Sequence, residues 1–182
     1  MPKFVNRINP GKDRMLMKNN QNSWAAARDA TSGGVASDTG DPIFVRVAKS
    51  GSKYSLTRML IAFDTSDIKE VPTHAVLDLS IAALVNGGTG FRVVKVQAGA
   101  TGDSDTAFAS GDYDALQGFS SGATMDGNVV IYSSDIGAGS LTASEHYIVS
   151  LNATARRDMA SLDEFKLAIV GTKDYTNTAP TA

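Results

Sequence analysis

The sequence contains no cysteine and only five prolines among its 182 residues. Without cysteine, the chain can form no disulfide, no thiolate zinc site and no cysteine nucleophile. Long apolar runs are also missing, since the longest are strand-sized and a membrane helix needs roughly 18 residues. The first residues, MPKFVNRINPGKDRMLMK, are charged and lack the apolar segment of a secretory signal. These absences predict a soluble chain without an export signal.

The pattern of apolar residues predicts an all-β fold. Hydrophobic residues make up 42% of the chain, and 17 glycines provide many turns. In THAVLDLSIAALV, apolar residues alternate with others at the period of a half-buried strand. Similar stretches predict strands at 43–48, 54–63, 75–85, 91–97, 128–132, 146–151 and 165–170. A short helix is predicted after Asn152. We therefore expect an antiparallel β-sandwich of the jelly-roll kind with one or two short helices.

The two ends of the chain look different from this sandwich. Residues 1–42 are polar and rich in Asn, Ser, Gly and Asp, with one apolar patch at 15–17. Such a composition predicts an extended N-terminal arm, which leaves 43–182 as the sandwich domain. The polar residues 172–182 are expected to run over the surface.

Charge is unevenly distributed along the chain. The net charge is −2, yet residues 1–60 hold ten Lys or Arg against four Asp, and the remainder holds seven against fifteen acidic residues. Nucleic-acid binding would require aromatics interleaved with the basic residues, and this region has few, so we expect no nucleic-acid partner. A basic arm that docks on an acidic neighbour, such as another copy of the chain, is the better interpretation. The candidate interaction residues are Arg7, Arg14, Lys18, Trp24 and Arg28.

One stretch matches a catalytic motif. Residues 118–122, GFSSG, fit the G-x-S-x-G pattern of a serine nucleophile, which would be Ser120. That motif requires a buried strand before the serine and a helix after it, whereas here both flanks are polar loops. The histidines, His74 and His146, are far apart and lack the spacing of a zinc site. The sequence therefore predicts a protein that is not an enzyme and has no cofactor.

Acidic pairs in the loops are weak candidates for a metal site. Asp103 with Asp105, and Asp112 with Asp114, could supply oxygen ligands to calcium. They lack the glycine and the distal glutamate of an EF-hand loop, so solvated loops are the favoured interpretation. Asn152 begins a glycosylation sequon, but it is also the expected N-cap of the short helix, and we prefer the cap.

The stretch LTRMLIAFDTSDI suggests a strand that ends in a tight corner. Met59, Ile61 and Phe63 share one face of the strand, and the other face is also apolar, which predicts burial on both sides. Asp64 is placed to cap the backbone of the corner, and Ile68 to tuck back under it. Arg58 is expected at the exposed end of the strand, without an assigned partner.

This stretch resembles the R-x-L-x-x-F-D-x-S-x-I pattern of jelly-roll domains of the carbohydrate-binding-module type. The matching residues are Arg58, Leu60, Phe63, Asp64, Ser66 and Ile68. The resemblance extends over 43–81 and 146–178, roughly 70 residues of the chain. Domains of this type occur in secreted polysaccharide-associated proteins and, as single-domain chains, in virion proteins of tailed phages.

The resemblance implies a non-enzymatic virion structural protein, made in the host cytoplasm and bound to virion proteins or to copies of itself. The expected role is capsid decoration (cement), with neither membrane nor cofactor involved. A head-fibre or tail-associated protein that contacts the host surface is an alternative. Another is a glycan-binding module that uses Trp24 and the loop 103–114. A hydrolase acting through Ser120 is the third hypothesis.

Overall fold

The computed structural model describes residues 13–36, 45–81 and 90–181. Within these ranges the chain forms eight strands, three short helices and two 3-10 turns. The strands are β1 (Arg14–Gln21), β2 (Gly34–Ala36), β3 (Arg46–Ser50), β4 (Lys53–Asp64), β5 (Val76–Ile81), β6 (Phe91–Lys95), β7 (Glu145–Ser150) and β8 (Glu164–Gly171). The helices are α1 (Trp24–Arg28), α2 (Ala153–Ser161) and α3 (Thr172–Tyr175), and the 3-10 turns span Ser110–Asp112 and Ala138–Ser140. All strand pairs are antiparallel, so the predicted all-β class is confirmed.

The large sheet is built around β4. Its strands follow the order β2-β1-β4-β8-β6, and β3 also pairs with β4. Since β1 occupies one edge of β4, strands β3 and β8 share the other edge. β3 pairs with β4 as far as Thr57, and β8 takes over from Met59. Two strands therefore abut end to end along one side of the central strand.

Both faces of the large sheet are covered. On one face, Met59 and Ile61 pack with Leu77 and Val149 of the two-stranded sheet β5-β7, and with Ala155 of α2. On the opposite face, the core contains residues of β4, α1, α3 and the loops between 96 and 129. The two sheets therefore form the predicted sandwich. With six strands in one sheet and two in the other, the described strands do not establish jelly-roll connectivity.

The predicted N-terminal arm must be corrected for residues 14–36. They contribute β1, α1 and β2 to the body, and β1 lies between β2 and β4. Met15 and Leu16 are buried there. The apolar patch at 15–17 is short, but it is covered on both faces, so the alternation that marks a half-buried strand is absent. Residues 1–12 and 37–44 lie outside the described residues.

Three other predictions differ in detail. Residues 128–132 form turns and a single bridge, Val94 with Ile131, rather than a strand, because their backbone groups bond partly to β6 and partly to Gln117. The predicted strand 75–85 is β5 as far as Ile81, and residues 82–89 are not described. The tail is not a surface segment at its start, since Asp174 and Tyr175 in α3 are buried.

Candidate functional site

The side chain of Arg58 is completely buried, not exposed at a strand end as predicted. Its guanidinium forms a bidentate ion pair with the Asp174 carboxylate. Nε donates to Oδ2 at 2.8 Å, and Nη2 donates to Oδ1 at 2.9 Å. Nη1 donates to the backbone oxygen of Tyr113 at 2.8 Å, and Nη2 also donates to that of Arg28 at 3.0 Å. A buried charge is tolerated only with such a partner. Arg58 therefore holds the strand to three distant segments.

Arg28 is a second completely buried arginine in the same place. Its Nη1 lies 2.7 Å from Oδ1 of Asp29, and its Nη2 donates to the backbone oxygen of Ala123 at 2.7 Å. Its Nε donates to the backbone oxygen of Asp174 at 3.0 Å. The predicted role of Arg28 in contacting a neighbour is therefore corrected, because no part of its side chain reaches the surface. We call Arg28, Asp29, Arg58 and Asp174 the arginine cluster.

Two aromatic rings cover the arginine cluster. The Arg58 guanidinium carbon lies 4.5 Å from the ring centre of Tyr113 and 4.8 Å from that of Phe119. Burial alone would lower the pKa of Arg58, but the Asp174 carboxylate outweighs this, and the pKa is raised. Burial also raises the pKa of Tyr113, whose hydroxyl donates to the backbone oxygen of Ala27 at 2.8 Å. Arg58 thus stays charged and is held in place, which suits a structural role rather than proton transfer.

Beside the arginine cluster lies a polar surface depression of about 330 Å³. Asp29 and Phe119 belong to its lining, together with Gln97, Asp112 and Asp114. The Asp112 carboxylate is already occupied. It accepts from the backbone N–H and the hydroxyl of Thr101, at 2.9 and 2.6 Å, and from the backbone N–H of Ala109 at 2.8 Å. Of the predicted acidic pair, Asp112 therefore holds its own loop, and Asp114 faces the depression.

The predicted corner after β4 has the geometry of a capped turn. Oδ1 of Asp64 accepts the backbone N–H of Ser66 at 2.9 Å. The backbone N–H of Ile68 donates to the oxygen of Thr65 at 2.8 Å, and Ile68 is buried. Phe63 packs against Phe165 with ring centres 6.3 Å apart. Asp64 thus acts on the backbone of the corner, while its own side chain is exposed to solvent.

Replacing Asp64 with alanine is expected to lower the melting temperature at neutral pH, because the corner loses its cap. Hydrogen bonds from Ser66 lower the pKa of Asp64. A lowered pKa in the folded state means that the stabilisation is fully present above the ordinary value near pH 4 and is lost as pH falls through the folded value. Thermal unfolding by circular dichroism at pH 7 and in a series down to about pH 2 should show the difference between Asp64→Ala and wild type shrinking. Asp64→Asn, which keeps an acceptor oxygen, is the control; an unchanged melting temperature for Asp64→Ala at pH 7 would contradict the role.

The remaining predicted interaction residues do not form one patch. Arg14 and Lys18 are half-buried in β1, and Arg7 lies outside the described residues. Trp24 begins α1, and its indole Nε1 donates to Oδ1 of Asn177 at 3.0 Å. Its ring also packs against Tyr54, with ring centres 6.3 Å apart. Trp24 therefore anchors α1 to the body.

The motif GFSSG is a pair of glycine turns. Gly118 and Gly122 have φ angles of 89° and 76°, in the left-handed region, and Ser120 between them is exposed. Neither the preceding strand nor the following helix of a nucleophile elbow is formed. In the described ranges, no group of three or more His, Cys, Asp or Glu side chains could hold a metal ion. The Asp103 carboxylate instead caps its own turn through the N–H of Asp105 at 2.8 Å.

Sequence reasoning missed Asp174, on which the arginine cluster depends. This residue lies 116 positions from Arg58, within the polar residues 172–182 that were expected to run over the surface. One signal was available: the tail follows β8 directly, and Asp174 precedes an aromatic residue, Tyr175, that is buried beside it. An arginine inside an apolar strand was itself a sign that a buried carboxylate must exist elsewhere.

Comparison with models of protein families and with curated proteins gives no match to the sequence. None of the helices in the described ranges is long and apolar enough to span a membrane.

Proposed function

We propose that this chain is a non-enzymatic structural protein of a tailed-phage virion, acting as a capsid decoration (cement) protein. It would stabilise the head through contacts between subunits. The sequence resemblance around the β4 corner supports the virion context. The observation that supports a binding role is a pair of exposed apolar side chains on the outer surface of the small sheet.

That surface is the outer face of the β5-β7 sheet. Val76 and Ile148 are 58% and 53% exposed. In the strand register Val76 is opposite Ser150, and Asp78 is opposite Ile148, so the two apolar side chains are diagonal neighbours on one face. On the other face, Leu77 and Val149 are buried in the core. The same face carries the exposed pair Asp78 and His146, with Nδ1 of His146 2.8 Å from Oδ1 of Asp78. Exposed apolar side chains bordered by polar ones are typical of surfaces that pack against a partner.

The rest of the molecule can present this face rigidly. The inner face of the small sheet is packed on the large sheet, whose opposite side is fixed by the arginine cluster. A decoration protein binds many equivalent positions of one shell, so modest contacts add up when neighbouring subunits also touch. A β-sheet face on a well-packed body meets this requirement without any conformational change.

The proposal is tested with heads prepared from a phage that lacks the gene. Purified protein carrying both Val76→Asp and Ile148→Asp is expected to bind these heads at least tenfold more weakly than wild type, because two charges would be desolvated at the interface. Cosedimentation measures the occupancy. Ile148 lies opposite Asp78, so the melting temperature should fall modestly through repulsion between carboxylates. Circular dichroism at the assay temperature confirms that the variant is folded before its binding is scored.

Val35→Asp is the matched control. Val35 is 44% exposed, but it lies on the edge strand β2 of the large sheet, away from the proposed face. Its head binding should equal that of wild type. Mass spectrometry of wild-type particles provides the more basic test: absence of the chain from purified virions would overturn the proposed function.

Glycan binding is a second candidate, favoured by the depression beside the arginine cluster. Carboxylates and amides of the kind carried by Asp29, Asp114 and Gln97 can accept and donate hydrogen bonds to sugar hydroxyls, and Phe119 supplies an aromatic surface. Such a site would suit a fibre or tail protein that contacts the host surface. Retention of the protein on cell-surface polysaccharide in a pull-down, in the absence of virion proteins, would favour this function over decoration.

A further inference from the structure

We infer that copies of this chain associate head to tail, through opposite charges at the two ends of strand β4. The inference deepens the proposed structural role and rests on it, because it names a second copy of the chain as a partner. It concerns the ends of the large sheet, whereas the proposed head-binding face lies on the small sheet. One subunit could therefore make both contacts at once.

The first half of β4 and its neighbours form a basic end. Residues 14–28 and 45–63 contain seven Lys or Arg and no Asp or Glu. Of these seven, Arg28 and Arg58 are buried and paired in the arginine cluster. Four of the others lie around the β3-β4 hairpin and the adjoining part of β1. They are Lys18, Arg46, Lys49 and Lys53. Among the described residues, these four side chains concentrate positive charge at this end of the large sheet.

The basic end contains a recess that can hold a carboxylate. It has a volume of about 260 Å³, and Arg46 and Lys53 are in its lining with amide and hydroxyl side chains. A register shift in β1 opens it: Asn20 adopts a φ of 56° and donates its backbone N–H to Oγ of Ser55 at 3.3 Å. Two cations beside neutral donors suit a carboxylate side chain better than an apolar one.

The other end of β4 is acidic. Asp64 pairs in register with Glu164 at the start of β8. The loop carrying Ser104 is tied to the same place, because its backbone N–H and hydroxyl bond to the Glu164 carboxylate at 2.9 and 2.6 Å. Seven acidic residues and only two lysines belong to this end. They are Asp64, Asp67, Glu70, Asp103, Asp105, Asp163 and Glu164, with Lys69 and Lys166.

The length of β4 separates the two ends. Strand β4 runs from Lys53 to Asp64, so the ends lie roughly 36 Å apart at 3.3 Å per residue. This is several times the Debye length of about 8 Å at physiological salt, so the opposite charges of one molecule scarcely compensate each other. They are compensated when the acidic end of one copy meets the basic end of the next. Such a contact uses different surfaces on the two copies and builds rings or rows.

Charge reversal with mixing tests this contact. The basic-end variant carries Arg46→Glu, Lys49→Glu and Lys53→Glu, and the acidic-end variant carries Glu70→Lys, Asp105→Lys and Asp163→Lys. These reversals change the summed charge of the basic end from +4 to −2 and that of the acidic end from −5 to +1. Each alone should self-associate at least tenfold more weakly than wild type, because like charges then face each other. An equimolar mixture should regain association, since the negative ends of one variant meet the positive ends of the other. Sedimentation velocity at about 50 and 500 mM salt measures the species, and high salt should dissociate the wild type.

Arg157→Glu is the control, a reversal of an exposed arginine on α2 outside both ends, and it should associate like wild type. Circular dichroism confirms that each variant is folded before it is scored. Two results with the wild type would overturn the inference: a monomer at every concentration, or a closed dimer that grows no further. A mixture of the two variants that fails to associate would also overturn it. These results are independent of the test of the proposed function. Mass spectrometry detects the chain in purified virions whether or not free copies associate.

Discussion

Replacing Asp174 with alanine is expected to lower the free energy of unfolding by about 3–5 kcal/mol. Arg58 is completely buried and makes two hydrogen bonds to the Asp174 carboxylate. The substitution removes this carboxylate and leaves a buried positive charge without its partner. Arg28 also loses a nearby negative charge, since its Nε lies 3.4 Å from Oδ1 of Asp174. Small domains are stable by only about 5–15 kcal/mol, so this variant should be close to unfolding at 37 °C. Urea denaturation followed by circular dichroism gives the difference.

Asp163→Ala is the matched control for this prediction. Asp163 also faces a cation, but its carboxylate lies 3.9 Å from Nζ of Lys69, and the two side chains are 83% and 73% exposed. Exposed pairs of this kind contribute about 0–1 kcal/mol. Equal free energies of unfolding for the two alanine variants would show that the arginine cluster does not stabilise the fold.

Gly118→Ala is expected to be the other strongly destabilising substitution, by roughly 2–5 kcal/mol. Its φ of 89° is strained for any L-residue with a side chain. In addition, a Cβ at this position would overlap the backbone oxygen of Asn128 and lie 3.3 Å from Cα of Val129. Backbone atoms must then shift beside Phe119, which covers Arg58. The free energy of unfolding from urea denaturation measures the loss.

Gly122→Ala separates the two causes. Gly122 has a similar φ of 76°, but a Cβ there meets nothing within 4 Å. It should cost only the conformational strain, about 1–2 kcal/mol. If both alanine variants lost the same free energy, the close approach at Gly118 would have no energetic consequence.

The parts of the fold that sequence predicts well are those set by neighbouring residues. The alternation around Leu77 and Val149 identified β5 and β7, because one face of each is buried and the other exposed. Asn152 was recognised as an N-cap from its position before a short helix, and its side chain accepts the N–H of Ala155 at 3.0 Å. The cap at Asp64 was predicted for the same reason, since the acceptor and donor are two residues apart.

The features that sequence did not reveal depend on distant partners. β1 is covered on both faces and flanked by two strands, so its short apolar patch carried no alternation. Arg58 was assigned to an exposed strand end because a charge in an apolar run normally marks the surface. Only the folded chain brings Asp174 to it. The depression combines residues between Asp29 and Ser121, and no spacing in the sequence indicates that they meet.

The end-to-end placement of β3 and β8 along β4 has a consequence for how the molecule opens. β3 pairs up to Thr57 and β8 begins at Met59, so Arg58 lies at the junction where one edge of the sheet changes partner. From there it binds Arg28, which follows β1, and Asp174, which follows β8. The arginine cluster thereby couples two halves of the sheet that could otherwise open separately, and makes them one cooperative unit. The edges of β4, which would pair with strands of other molecules if they were exposed, therefore stay covered until both halves open together.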